Sequence, residues 1–166
     1  MSRSSHRKRE RAQALVELAF ILPALLLMLL GMIDLGRAFV FGVAVQNGAR
    51  EAARLGARAA MDSSINDTAV LSRLVTASAP ALGGCAASTG SQACGGGTWT
   101  LGLSVLGTDG NTYSSLSSVP ASALPGSRLT VTAQASSLSM LAGMATGMGL
   151  SLSAITAQGQ AVMMVL

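Results

Sequence analysis

Residues Gln13–Ile33 read QALVELAFILPALLLMLLGMI, 21 residues of apolar sequence interrupted by one charge, Glu17. A helix crossing the hydrocarbon of a bilayer needs about 20 such residues. Five basic residues (Arg3, Arg7, Lys8, Arg9 and Arg11) crowd the N-terminal side of the run. Short basic flanks stay in the cytoplasm, because moving Lys or Arg across the membrane is opposed. His6–Arg11 are therefore expected inside and residues beyond Gly36 outside. Arg37, Arg50, Arg54 and Arg58 lie on the exported side, where long segments translocate largely regardless of charge. Lipid tolerates a carboxylate poorly, which makes Glu17 a functional candidate.

A cleaved secretory signal peptide has the same order of basic and apolar segments. Here the apolar run exceeds a signal-peptide core. Arg37 and Phe39–Phe41 follow it, where a small-x-small cleavage motif would stand. The nearest such motif, Gly42-Val43-Ala44, is poor and far downstream. A retained membrane helix is the reading adopted, with the signal peptide as its alternative.

Composition limits the rest. The chain has 166 residues, half of them apolar but only 3% aromatic. A long helix in the first third leaves about 100 residues, enough for one small head domain. Residues 1–12 hold five basic residues and one acid, Glu10, so the remaining chain, with six of each sign, is neutral. The high pI belongs to the N-terminal tag and does not point to nucleic acid.

Residues 1–10 read as polar and disordered, and 13–60 as one long helix. Pro23 should kink it, since its ring displaces the carbonyl one turn back. Arg50, Arg54 and Arg58 recur on one helical face. Ala38, Gly42, Ala49, Ala53, Gly56, Ala57 and Ala60 are small enough for close helix packing. Asp62–Asn66 breaks the helix, and Ile65–Ala77 is a second amphipathic candidate, ended by Pro80. Residues 83–97 read as a Gly-rich loop. Trp99–Val105 and Arg128–Ala135 alternate as half-buried strands. Leu150–Gln158 is a third strand candidate, with Met163–Leu166 as an extension. Asp109-Gly110 marks a turn. Residues 114–127 read as coil, and 137–149 are ambiguous.

Cys85 and Cys94 flank eight Gly/Ser/Ala-rich residues. A disulfide closing this loop would contribute roughly 2.5–3 kcal/mol by loop entropy, and disulfides persist outside the cytoplasm. Two free cysteines in a loop are the alternative. One histidine and two cysteines cannot close a zinc site, so no metal or other cofactor is expected.

The residues at the membrane entry, Arg11-Ala12-Gln13-Ala14-Leu15-Val16-Glu17-Leu18, resemble the processing site of type IV prepilins. That resemblance implies cleavage between Ala12 and Gln13 by a prepilin peptidase on the cytoplasmic face, which leaves Glu17 fifth in the mature chain. It also implies pairing of Glu17 with the new N-terminal amine of a neighbouring subunit. Val16–Phe39 (VELAFILPALLLMLLGMIDLGRAF) followed by Gln46–Ala59 (QNGAREAARLGARA) is similar to the TadE-like family, pseudopilins of tight-adherence (Flp) pilus systems. The matching features are Glu17, Leu22-Pro23, the leucine run, Gly31, Asp34, Gly36-Arg37, and Asn47 through Arg54. Ala12 stands where the family usually has Gly, and Leu18 where an aromatic often follows the glutamate. The resemblance implies other pilins and the assembly platform as partners.

Asp34 and Arg37, three apart on a helix, are expected to pair at the outer membrane boundary. Arg50, Glu51 and Arg54 read equally as a subunit contact or as a solvated face. No nucleophile–base pair, phosphate loop or metal spacing is evident, so an enzyme is not expected. The expected fold is α+β: a basic cytoplasmic leader (1–12), a transmembrane helix continuing outside (13–60), and a small antiparallel-sheet head (61–166). The expected location is a bacterial inner membrane, single-pass, with the head outside. The alternatives are a permanently anchored adhesion or binding protein and a secreted small protein.

Overall fold

A computed structural model of the chain describes residues 3–62, 64–94, 97–137 and 156–166. Its element order is α1 (Arg3–Gly56), α2 (Asp67–Ala77), α3 (Ala79–Leu82), β1 (Gly90–Cys94), β2 (Gly97–Leu106), β3 (Thr112–Tyr113), β4 (Arg128–Ser137) and β5 (Gln158–Met164). The architecture is α+β, one long apolar helix with a small antiparallel sheet.

The helix starts earlier than expected. Residues 3–10 were expected to be disordered, yet α1 begins at Arg3. The leader contains no Gly or Pro, and Arg, Lys, Glu and Ala are good helix formers. Extending an existing helix adds one hydrogen bond per residue fixed, without a second nucleation cost. At the other end α1 stops at Gly56 instead of 60. The bonds tighten to three-residue spacing there: Arg58 N–H donates to Leu55 and Ala59 N–H to Gly56, at 3.1 and 3.0 Å.

Among the described residues, the head's core packs on the upper part of α1, from Phe41 upward. Val45, Ala49, Ala52 and Ala53 are fully buried, with Gly48 between them and Gly56 just beyond. These positions recur at three- and four-residue steps, one face of a helix. The sheet lies against that face. Its order is β1-β2-β4-β5, with β3 beside β2, and every pairing is antiparallel. Leu101 stands opposite Ala133, Leu103 opposite Val131, and Val105 opposite Leu129. With Trp99 and Ala135 these residues are buried in the core. The period-two alternation read from Trp99–Val105 and Arg128–Ala135 is thus the pleat of the two central strands.

Small residues set the spacing. A Cβ on Gly159 of β5 would lie 2.7 Å from the backbone carbon and oxygen of Val45. Backbone there touches backbone. Beside it, the Gln46 side-chain amide donates to the Gln160 carbonyl at 2.9 Å and accepts from the Gln160 N–H at 3.1 Å. At the top, Leu166 N–H donates to the Ala57 carbonyl at 2.7 Å. The helix α2 is capped by Asn66, whose side chain accepts from Ala69 N–H. It buries Val70, Leu71 and Leu74, each worth about 1.5–3 kcal/mol of apolar transfer. The helix α2 ends at Ala77, ahead of Pro80 as expected, and Pro80 lies in the first turn of a further short helix, α3, where its missing N–H costs nothing. Buried Ser78, between the two helices, donates to the Ala44 carbonyl at 3.3 Å.

Three strand expectations differ from the structure. Part of the Gly-rich loop 83–97 is strand β1, because Cys85 and Cys94 form a disulfide with Cα atoms 5.1 Å apart and Gln92 grips the backbone of Ala86 and Ser88. The last strand is Gln158–Met164: of the expected Leu150–Gln158 and its extension Met163–Leu166, Thr156 and Ala157 are not strand while Gln158, Met163 and Met164 are, and Gly159 is a point of close approach to α1. The short strand β3 was not foreseen. Leu150–Ile155 and residues 138–149 lie outside the described residues. Segment 114–127 forms turns, tied to α2 where Leu116 N–H donates to Asp67 at 2.7 Å.

If the Val45–Gly159 contact holds the head to the helix, Gly159→Ala should destabilise the head by about 1–3 kcal/mol, the cost of overpacking. Trp99 is the sole tryptophan and is fully buried, so its fluorescence reports head melting in the detergent-solubilised chain. Gly42→Ala, where the new methyl meets open space, should leave that transition unchanged.

Candidate assembly interface

Among the described residues little covers the lower half of α1. From Leu15 to Val43 most of its large side chains lie open, with Phe20, Met28, Met32 and Phe39 each more than 70% exposed and Leu30 and Phe41 half-buried. The helix is long and apolar enough to cross a membrane: its apolar part reaches a mean hydropathy of 2.5, and none of that part is buried in the protein. At 1.5 Å per residue the open stretch is roughly 45 Å long, longer than a bilayer's hydrocarbon thickness of about 30 Å. So large an apolar surface requires lipid or neighbouring helices around it.

The expected site residues are distributed along this helix. The Ala12–Gln13 bond lies inside α1. Glu17 is exposed among Leu15, Val16, Leu18 and Phe20, all exposed. Pro23 sits within α1, which continues through it; the Ala19 carbonyl one turn back lacks an N–H donor there.

Asp34 and Arg37 sit at the level where the exposed stripe begins to close. Asp34 is 2% exposed. The Arg37 guanidinium lies over the Phe41 ring, 5.5 Å from its centroid, a cation–π contact. Higher up, Glu51 accepts from Arg54 at 3.2 Å and stands 3.6 Å from Arg73 of α2. Arg50 and Arg58 are exposed on the same side of the helix. Arg73 was not picked out by sequence reasoning, because nothing local signals that α2 lays it beside Glu51. The Gln46–Gln160 pair was also missed, since its partners are 114 residues apart.

Charge in the head is local and hydrogen-bonded. The Tyr113 hydroxyl and the Asn111 N–H both donate to Asp109 and hold its carboxyl below the ordinary carboxylate range. The same bond raises the Tyr113 hydroxyl. Ser64 likewise lowers Asp62 through its side chain and backbone N–H. Among the described residues no group of three or more His, Cys, Asp or Glu is placed to hold a metal ion.

Residues 12–54 match the TadE-like protein family. The match begins at the residue before Gln13 and ends inside α1, so the helix carries the family's sequence and the head lies outside the match. None of the curated proteins and none of the solved structures matches the chain.

The Asp109–Tyr113 bond sets a pH window. A raised tyrosine contributes stability below its ordinary value of about 10, lost as pH rises through the raised value; a depressed aspartate contributes above about 4, lost as pH falls through the depressed value. Tyr113 is the sole tyrosine, so tyrosinate absorbance titrates it alone. Its midpoint should exceed that of a free tyrosine, and Asp109→Asn should bring it down. Equal midpoints in the two proteins would contradict the bond.

Proposed function

We propose that this TadE-like chain is a pseudopilin, a membrane-anchored assembly subunit of a tight-adherence pilus, and not an enzyme. The observation that carries the reading is the open apolar length of α1 with Glu17 near its start, within the part that matches the family. A lone carboxylate facing lipid is costly and becomes tolerable with a cationic partner. Cleavage after Ala12 would supply that partner, a new α-amine on Gln13 of a neighbouring subunit. It would also remove all of the chain's formal charge of +4, which resides in residues 1–12. A neutral subunit leaves the cytoplasmic leaflet more readily than one carrying five basic residues, since anionic lipids attract each by about 1 kcal/mol.

In this reading the basic leader orients the chain with its N-terminus in the cytoplasm of a bacterial inner membrane and its disulfide-bonded head outside. Pro23 loosens the helix within the bilayer. The other pilins, the assembly platform, the peptidase and the bilayer are its partners.

Intact-mass measurement of the chain from peptidase-positive cells should show loss of residues 1–12. An unchanged mass there, or equal cleavage in peptidase-deleted cells, would contradict processing and favour a permanently anchored adhesion or binding protein; a mature N-terminus beyond residue 40 would favour a secreted one.

Glu17→Ala and Glu17→Gln should both insert, since removing a charge makes the helix more apolar, and both should impair piliation. Wild-type piliation by processed, inserted variants would remove the charge-pairing role.

A further inference from the structure

The head carries one strongly charged face. Arg50, Arg54 and Arg58 follow each other at four-residue steps on α1, and Arg73 joins them from α2. Together with Leu55 and Glu51, three of these arginines line an open groove of about 440 Å³. Glu51 is the one acid lining it and is already shared between Arg54 and Arg73; Asp62 lines an adjoining groove with Arg58, Met61 and Leu166. Counting Arg50, four cations against two anions leave a local excess of two. The rim is apolar: Met61, Met164 and Leu166 are each at least 65% exposed, and a second groove of about 330 Å³ brings Met164 and Leu166 beside Arg54 and Arg58. Arginine and methionine are the residue types enriched in protein interfaces.

Three occupants can be weighed. Lipid headgroups at a boundary near Arg37 are too far away, because Arg50 to Arg58 stand roughly 20–30 Å further along the helix at 1.5 Å per residue, more than two Debye lengths of about 8 Å at physiological salt. A second copy of the chain has no matching surface. Outside the membrane segment its described acids are Glu51, already paired, Asp62, Asp67, which accepts from Leu116, and Asp109, bonded to Tyr113; they lie on separate elements and form no acidic patch. We propose that the Arg50/Arg54/Arg58/Arg73 face docks an acidic segment with interleaved apolar side chains on a different extracytoplasmic protein. The carboxylates meet the arginines, and the apolar side chains cover Met61, Met164 and Leu166. The proposal rests on the exported head of the pseudopilin reading only in setting the face away from the bilayer. Piliation of the Glu17 variants tests that reading, and peptide binding tests this one.

The test uses the full chain in phosphatidylcholine nanodiscs and a fluorescent peptide of Glu-Glu-Leu repeats, followed by anisotropy. The peptide should bind, more tightly than a Glu-Glu-Ser peptide of equal charge, and weaken as salt rises. Arg54→Ala with Arg58→Ala should weaken it about tenfold. Met164→Ser should remove the advantage of the leucine peptide. A charge-matched control, Ser88→Glu with Ser91→Glu on the exposed disulfide hairpin, should keep the wild-type affinity. Absence of binding, an equal loss in the control, or equal competition by phosphatidylglycerol vesicles would overturn the proposal.

Discussion

Everything in this fold depends on one close approach, the packing of Gly159 against the backbone of Val45. A single helix has to serve two environments. Below Val43 most of its large apolar side chains are open. Above Val45 those on the head-facing side are small and buried, and the sheet can lie directly on the helix backbone. The contact between α1 and β5 is therefore made by backbone and short side chains, not by interdigitated leucines. Small residues give up apolar area but allow close van der Waals contact and direct hydrogen bonds to the helix. Gln46 and the Ala57 carbonyl use that proximity at the two ends of β5.

The same feature solves a problem common to small sheets. An edge strand presents unpaired N–H and C=O groups and invites pairing with other chains. At one edge the amide of Gln46 takes both the N–H and the C=O of Gln160, as a neighbouring strand would. At the other edge Gln92, on β1 itself, makes the same pair of bonds to Ala86 in the loop before the strand, at 2.8 and 3.0 Å, and so ties that loop to the edge strand. There the Cys85–Cys94 bond closes the loop that Gln92 grips. A primary amide is the side chain that reproduces a peptide group's donor and acceptor together, so glutamine suits both places. The short strand β3 occupies the part of β2 that β1 does not reach.

The legible parts of the chain were those with a strong period or a strong contrast. The apolar run and the two alternating strands around Leu101 and Val131 announce themselves locally, and Cys85 and Cys94 lie close enough in sequence to suggest their bond. The less legible parts owe their form to distant partners. Strand β1 reads as loop because its Gly and Ser residues lack β propensity, and only the disulfide and β2 make it extended. The start of β5 is obscured by Gly159, a residue that weakens a strand locally and is required for the helix contact. The leader reads as disordered from charge alone, because the helix it joins supplies the nucleus it lacks. Among the candidate site residues, Glu17 was legible as a charge in an apolar run. The Glu51–Arg73 contact was not, since it depends on how α2 is laid against α1.

Two carboxylates interrupt the apolar part of α1, Glu17 and Asp34, and the fold treats them differently. Asp34 is buried and partnered by the chain itself. Glu17 lies 17 residues nearer the N-terminus, roughly 25 Å lower along the helix at 1.5 Å per residue, below the reach of the head that packs on Val45–Gly56. It is exposed among side chains that face lipid. A carboxylate in that position has three ways to lower its cost: protonation, snorkelling to the interface, or a cation from another chain. The first two suit a residue that stays where it is inserted. The third suits a helix whose whole lower half is left open for other helices, and among the three it alone links the charge to the exposed apolar surface around it.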